Sequence, residues 1–180
     1  SLFNFQNHLS QKFADLYPFL NELTPYLNGL DNESYLKLIE EVICNDLPKE
    51  NVILLEIEPE KQNTKIDFYY CQRDLGIPVV CVTELYEKGN QLFYKNEQGK
   101  ETQVKRIYNR LIFDDLQQQS EEIREKGKIM LEELDVEWVP HPNWFYRISK
   151  YTLPFIHHPY VPTTWFLNEL KQVPKDLENY

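Results

Sequence analysis

The run Val52-Ile53-Leu54-Leu55-Glu56-Ile57 is predominantly apolar and short, which predicts a strand covered on both faces. A polar turn, Glu58-Pro59-Glu60-Lys61-Gln62-Asn63, follows it, and the period of the pattern then changes. Thr64, Phe68, Cys71 and Leu75 recur at three or four residues, which places them on one face of a helix over 64–75. Gly76 ends that helix, because glycine alone enters the left-handed region without steric cost. Residues 77–82 predict a second buried strand and residues 104–108 a third. Strand, helix and strand at this spacing form a βαβ unit, with parallel strands and a right-handed crossover. Sheets built from such units bind ligands outside the carboxyl ends of their strands.

On either side of this unit the pattern is helical or turn-like. Phe5, Leu9, Phe13, Leu16 and Leu20 recur at helical spacing, so residues 2–23 predict one helix, broken or kinked at Pro18 and Pro25. A second helix begins near Asp31 and Asn32, whose side chains cap it, and carries the stripe Leu36, Ile39, Ile43 and Leu47 up to Pro48. Residues 91–94 and 101–104 flank the turn Asn96-Glu97-Gln98-Gly99 and predict a small hairpin. Asp114 and Asp115 cap a polar helix to about 125. Gly127 interrupts, a short helix runs to 134, and residues 136–139 predict a fourth strand. Beyond it come a helix over 145–155, an extended stretch at 160–164 and a short helix over 165–170. The expected fold is α/β: a small doubly wound, mostly parallel sheet with a β-hairpin excursion and an N-terminal helical extension. The expected division is a helical extension at 1–48, an α/β domain at 49–142 and a helical segment at 143–180.

Composition narrows the function classes. With 19 basic against 29 acidic side chains the net charge is −10, and no run of Lys or Arg supplies the basic face that a nucleic acid needs. No apolar stretch has the length of a membrane span, so neither nucleic acid nor membrane is expected as a partner, and the expected location is the cytoplasm. Cys44, Cys71 and Cys81 fall in two helices and a strand without CxxC spacing, and are expected to be buried thiols in a reducing compartment. The 14% aromatic content implies bulky packing between layers, or an interface that a partner covers. The chain begins Ser-Leu-Phe without an initiating Met, and its last residues, 175–180, read as the start of a strand; both features are expected of a piece of a larger protein.

The residues just after each predicted strand are the candidate site: Glu58 to Asn63, Thr83 and Glu84, Asn109 and Arg110, and His141 to Asn143. Arg110 stands out, since a guanidinium at a strand's carboxyl end beside an Asn can grip a carboxylate or phosphate with two parallel hydrogen bonds. The structural alternative is an ion pair with Asp114, Asp115 or Glu58. His141, in a Pro-His-Pro turn, is either an acid, base or ligand or a solvated loop histidine. His157 and His158 lack neighbours at metal-ligand spacing, and Lys150 reads as a snorkelling side chain. The first strand–helix turn contains no glycine, so neither GxGxxG nor GxxxxGK[ST] is present to cradle phosphates; GxSxG and HExxH are also absent.

Several of these residues together carry a resemblance. Ile57-Glu58, Thr64, Phe68-Tyr69, Leu75-Gly76-Ile77, the strand at 79–82 and Ile107-Tyr108-Asn109-Arg110 resemble the N-terminal, pre-ATP-grasp domain of circularly permuted ATP-grasp proteins related to glutathionylspermidine synthase. That family commonly has Arg-Arg where Asn109-Arg110 stands. Arg147 and Lys150 match its basic lead-in helix, and Val161-Pro162-Thr163-Thr164 its segment ahead of the ATP-binding core. The resemblance covers roughly residues 50 to 180. It implies a substrate-side domain of a carboxylate–amine ligase, not competent alone, with substrate held by Arg110, Asn109, Glu58, Asn63 and His141. It further implies no cofactor in this chain, ATP and magnesium in the full-length protein, and as partners the ATP-grasp lobes of the same polypeptide and a small-molecule or peptide substrate. Two other classes remain: a stand-alone α/β ligand-binding or scaffold module without enzymatic activity, and a domain of a sugar-nucleotide transferase.

Overall fold

The run at 52–57 folds as the central strand β1 (Val52–Glu56), buried at all five positions. A computed structural model describes residues 3–172, apart from the side chains of Phe145 and Tyr146, and divides the chain into two units, Ser1–Pro142 and Asn143–Tyr180. In the first unit, α1 (Phe3–Leu16) and α2 (Asn32–Cys44) precede β1, and α3 (Lys65–Leu75) crosses from it to β2 (Val79–Cys81). Next come β3 (Tyr86–Lys88), β4 (Gln91–Lys95), β5 (Glu101–Val104) and β6 (Arg106–Asn109), then α4 (Phe113–Gln117), α5 (Glu121–Gly127) and β7 (Glu137–Val139). The main sheet has the order β2-β1-β6-β7 and is parallel throughout; β3, β4 and β5 form a separate antiparallel sheet.

Alternation along β1 sorts the core into two layers. Ile53, Leu55 and Ile57 pack with Val80, Val82 and Ile107 against Leu111, Leu116, Ile129 and Met130. Val52 and Leu54 pack with Tyr108 against Ile39 and Ile43 of α2 and Phe68, Cys71 and Leu75 of α3. Helices thus cover both faces, and the fold is the α/β, Rossmann-like arrangement expected from the pattern. All three cysteines are free and buried. Among the described residues no helix is long and apolar enough to cross a membrane.

Local chemistry explains the element boundaries. Asp31 accepts the Ser34 N–H at 2.8 Å while the Ser34 hydroxyl accepts the Asp31 N–H at 2.8 Å, a reciprocal box that starts α2. At its other end the Arg106 guanidinium donates to the carbonyls of Ile43 (2.9 Å) and Val42 (3.0 Å), satisfying last-turn acceptors. Gly76 caps α3 at φ +70°, in the left-handed region. β2 is shorter than the expected 77–82, because the Glu84 carboxylate accepts the Cys81 N–H at 2.8 Å and the chain turns at 82.

Other expectations are corrected. The strand expected over 104–108 is two strands in different sheets. Lys105 is the switch: its N–H donates to Asn51 at 2.8 Å and its carbonyl accepts from Glu137 at 2.9 Å, so the parallel ladder begins there. The hairpin has a third strand, β3, which carries only one partly buried residue and so left little hydrophobic signal. The polar helix expected to 125 is broken, since Gln118 and Gln119 close the α4 end and the Ser120 hydroxyl caps α5 afresh. Gly127 ends α5 and so interrupts as expected, but a 3-10 segment (Lys128–Leu131) follows in place of the helix expected to 134; a Cβ on Gly127 would press on the Leu116 side chain. The sharpest difference is α1. Its buried residues are Asn4 and Asn7, while Leu9, Phe13 and Leu16 of the apolar stripe are exposed. Polar contacts decide that orientation: Asn7 donates to Asn32 at 2.8 Å and accepts from the Tyr26 hydroxyl at 2.6 Å, and His8 stacks on Tyr70 at 4.3 Å.

In the second unit the helix expected over 145–155 is divided into α6 (Phe145–Ile148) and the 3-10 segment Lys150–Phe155. The division falls at Ser149, whose hydroxyl accepts the Tyr151 N–H at 3.3 Å. Residues 162–166 adopt neither helix nor strand, and a 3-10 turn at Leu167–Glu169 stands for the short helix expected over 165–170. The strand start expected at 175–180 lies outside the described residues.

Candidate functional site

At the carboxyl edge of the sheet, Glu56 pairs in register with Cys81 and Leu55 with Asn109. The Arg110 N–H donates to the Leu55 carbonyl at 3.0 Å, so Arg110 continues the ladder one step past β6. The two-residue period then puts Glu56 on the same side as Val52 and Leu54, and Arg110 on the same side as Arg106 and Tyr108, which is the α3 side. There α3 presents Asp67 and Phe68, both buried, and the Arg110 guanidinium carbon stands 5.6 Å from the centre of the Phe68 ring. That separation is in the range of a cation–π contact.

One half-buried guanidinium therefore faces several acidic groups. Glu56, 8% exposed, is pushed up from 4.5 to about 7 by burial, against the opposing effects of the Ile57 N–H (2.8 Å) and the Arg110 charge; Asp115 adds to the rise. Asp67, 1% exposed, is raised by burial, against the Phe5 N–H (2.9 Å) and Arg110. Burial raises the Tyr108 hydroxyl to about 12 and pushes the Cys71 thiol up, and in both cases Arg110 pulls the other way. The cluster thus sets a guanidinium, hydrogen-bonded to the Tyr108 side chain, beside a carboxyl that burial raises to about 7.

The sequence-derived candidates are spread over this edge. Arg110 sits at its centre. Asn109 is turned to its own chain, with Oδ1 accepting the Leu111 N–H at 3.2 Å and Nδ2 donating to the Leu111 carbonyl at 3.3 Å. Glu58 is left-handed at φ +41°, its carboxylate pairs with Lys61, and its N–H donates to Cys81 Sγ at 3.4 Å. Asn63 is exposed in the turn before α3. His141 is exposed beyond β7, its ring 6.3 Å from Trp138 in an edge-on contact. Glu56, Asp67 and Tyr108 were not singled out from the sequence. Glu56 had a signal, as the one charged residue in an otherwise apolar run; Asp67 had a weaker one, four residues before Cys71 on the buried side of α3.

Among the described residues no three His, Cys, Asp or Glu side chains come together to hold a metal ion. The β1–α3 turn holds a 3-10 segment (Pro59–Lys61) and no glycine. The fold and this edge define an α/β domain with a charged rim at the carboxyl ends of a parallel sheet. No family model matches the chain, and no curated protein is significantly similar to it.

Proposed function

We propose that the chain is the substrate-side domain of an ATP-dependent carboxylate–amine ligase of the ATP-grasp kind, related to glutathionylspermidine synthase, and that it holds an anionic group of a small-molecule or peptide substrate on Arg110. The observation that carries the proposal is the placement of Arg110, one step past β6 and over Phe68, at the edge where parallel sheets take ligands. Phe68 supports the guanidinium from one side and Glu56 and Asp67 attract it, which limits its freedom before a ligand arrives. A carboxylate bound there gains two charge-assisted hydrogen bonds. Activation of a carboxylate by ATP falls to lobes beyond this chain.

Two measurements test this. Isothermal titration with amino acids, short peptides and inorganic phosphate is expected to show binding of a carboxylate or phosphate that Arg110→Ala abolishes and Arg110→Lys weakens. Equal binding by the Arg110→Ala protein removes Arg110 from the site, and heat from a nucleotide sugar in place of these anions favours the transferase. Translation of the gene beyond Tyr180 tests the ligase assignment: strands with a nucleotide-contacting lysine and a carboxylate cluster support it, whereas a stop codon leaves a stand-alone binding module.

A further inference from the structure

We infer that the second unit carries a binding site for a small molecule with a quaternary ammonium group, held among Phe155, Trp165 and Phe166 with the Glu169 carboxylate as its counter-charge. Three backbone turns build the cavity. The Leu153 carbonyl accepts the Ile156 N–H at 3.1 Å, closing the 3-10 segment that ends at Phe155. The Val161 N–H donates to the His158 carbonyl at 2.9 Å, so the chain turns through Pro159. The Glu169 N–H donates to the Phe166 carbonyl at 3.0 Å, which brings Glu169 back towards Phe166. These turns line a cavity of about 530 Å³, within the size range of sites that take up a small molecule.

Rings and charge select the ligand. Phe155 and Phe166 meet edge to face with ring centres 5.4 Å apart, and Tyr151 contacts both, at 5.9 Å and 5.0 Å. The aromatic wall is thus braced before a ligand arrives. Trp165, the ring type that holds a cation best, lines the same cavity and is 47% exposed. Among the described lining residues there is one formal charge, the Glu169 carboxylate, and no Lys or Arg. Such a wall attracts a cation, and the acceptors decide which kind. A primary ammonium needs partners for three N–H groups. Here the Phe166 and His158 carbonyls already accept backbone N–H groups, His158 Nδ1 accepts the Tyr160 N–H at 3.2 Å, and the Thr164 hydroxyl donates to Pro162 at 3.0 Å. A quaternary ammonium donates no hydrogen bond and is held by ring faces. In a lipid headgroup that cation comes with a phosphate, which no described base of this lining would meet, so the ligand is a free small molecule.

Titration of the full chain with choline at about pH 8, where an ordinary imidazole is uncharged, tests it. Choline is expected to bind and to shift the Trp165 indole N–H resonance. Its uncharged carbon isostere, dimethylbutanol, is expected to bind at least about tenfold more weakly. That comparison is made on the wild type and needs no variant to fold. Glu169→Gln and Trp165→Leu are each expected to weaken choline binding several-fold with an unchanged Tm, since both side chains are exposed. Equal affinity for choline and dimethylbutanol overturns the inference, as does an absence of choline binding, or binding that neither variant weakens. A proline-rich peptide, a trimethyllysine peptide or phosphatidylcholine vesicles bound more tightly than choline overturn it equally.

Discussion

The Asp67 carboxylate on α3 accepts the Phe5 N–H at 2.9 Å, so a residue 62 positions away caps the first turn of α1. A helix start left without an acceptor is costly, and loss of a capping side chain typically costs about 1–2 kcal/mol. Asp67→Ala is expected to destabilise the protein by that order and to speed amide exchange through α1 while β1 stays protected. Asp67→Asn, which keeps an acceptor oxygen without a buried charge, is expected to cost less. Chemical denaturation together with hydrogen exchange distinguishes the two.

Glu56 makes stability depend on pH. Its folded value, about 7, lies above the ordinary 4.5, so between these the folded chain binds more protons than the unfolded one. Its contribution is therefore fully present below 4.5 and is lost as the pH rises through about 7, by on the order of 3 kcal/mol. Asp67, also raised, acts in the same direction. Urea midpoints measured across this range are expected to fall with pH in the wild type, and Glu56→Gln is expected to flatten the slope.

Arg110→Ala removes the charge that opposes burial at Glu56, Asp67 and Tyr108. The Glu56 carboxyl is then expected to titrate higher than in the wild type, as followed by carbon NMR of the side chain. An unmoved Glu56 titration would show that the two groups do not sense one another.

Phe68 has two roles, as a core side chain of the α3 layer and as the surface beneath Arg110. Phe68→Ala is expected to cost roughly 3–5 kcal/mol, which a denaturation midpoint measures directly. Phe68→Leu retains much of the packing and loses the ring, so it is expected to weaken anion binding more than folding.

Gly127 lets α5 approach α4, with Leu116 Cγ 3.0 Å from where its Cβ would stand. Because Leu116 is buried and has to shift to admit the new methyl, Gly127→Ala is expected to cost about 1 kcal/mol, even after its gain in helix propensity. The double variant with Leu116→Ala is expected to show favourable coupling in a double-mutant cycle.

Patterns spanning a few residues were enough for β1, the α3 stripe with Gly76 behind it, the helix cap at Asp31 and the hairpin around Asn96, and so for the α/β class. Each depends on a period or a turn preference that neighbouring residues already satisfy among themselves. Arg110 was legible for the same reason, as the residue following a recognisable strand. Contacts across the chain decided the rest. Lys105 leaves the hairpin because Asn51 and Glu137 take its backbone groups, and α1 turns its leucines outward because Asp67, Asn32, Tyr26 and Tyr70 hold its other side. Glu56, Asp67, Tyr108 and Arg110 become one cluster only when β1, α3 and β6 stand side by side. Strand register and helix rotation are set by partners tens of residues away, and burial, which moves the Glu56 carboxyl to about 7, belongs to the packed assembly and to no stretch of the chain alone.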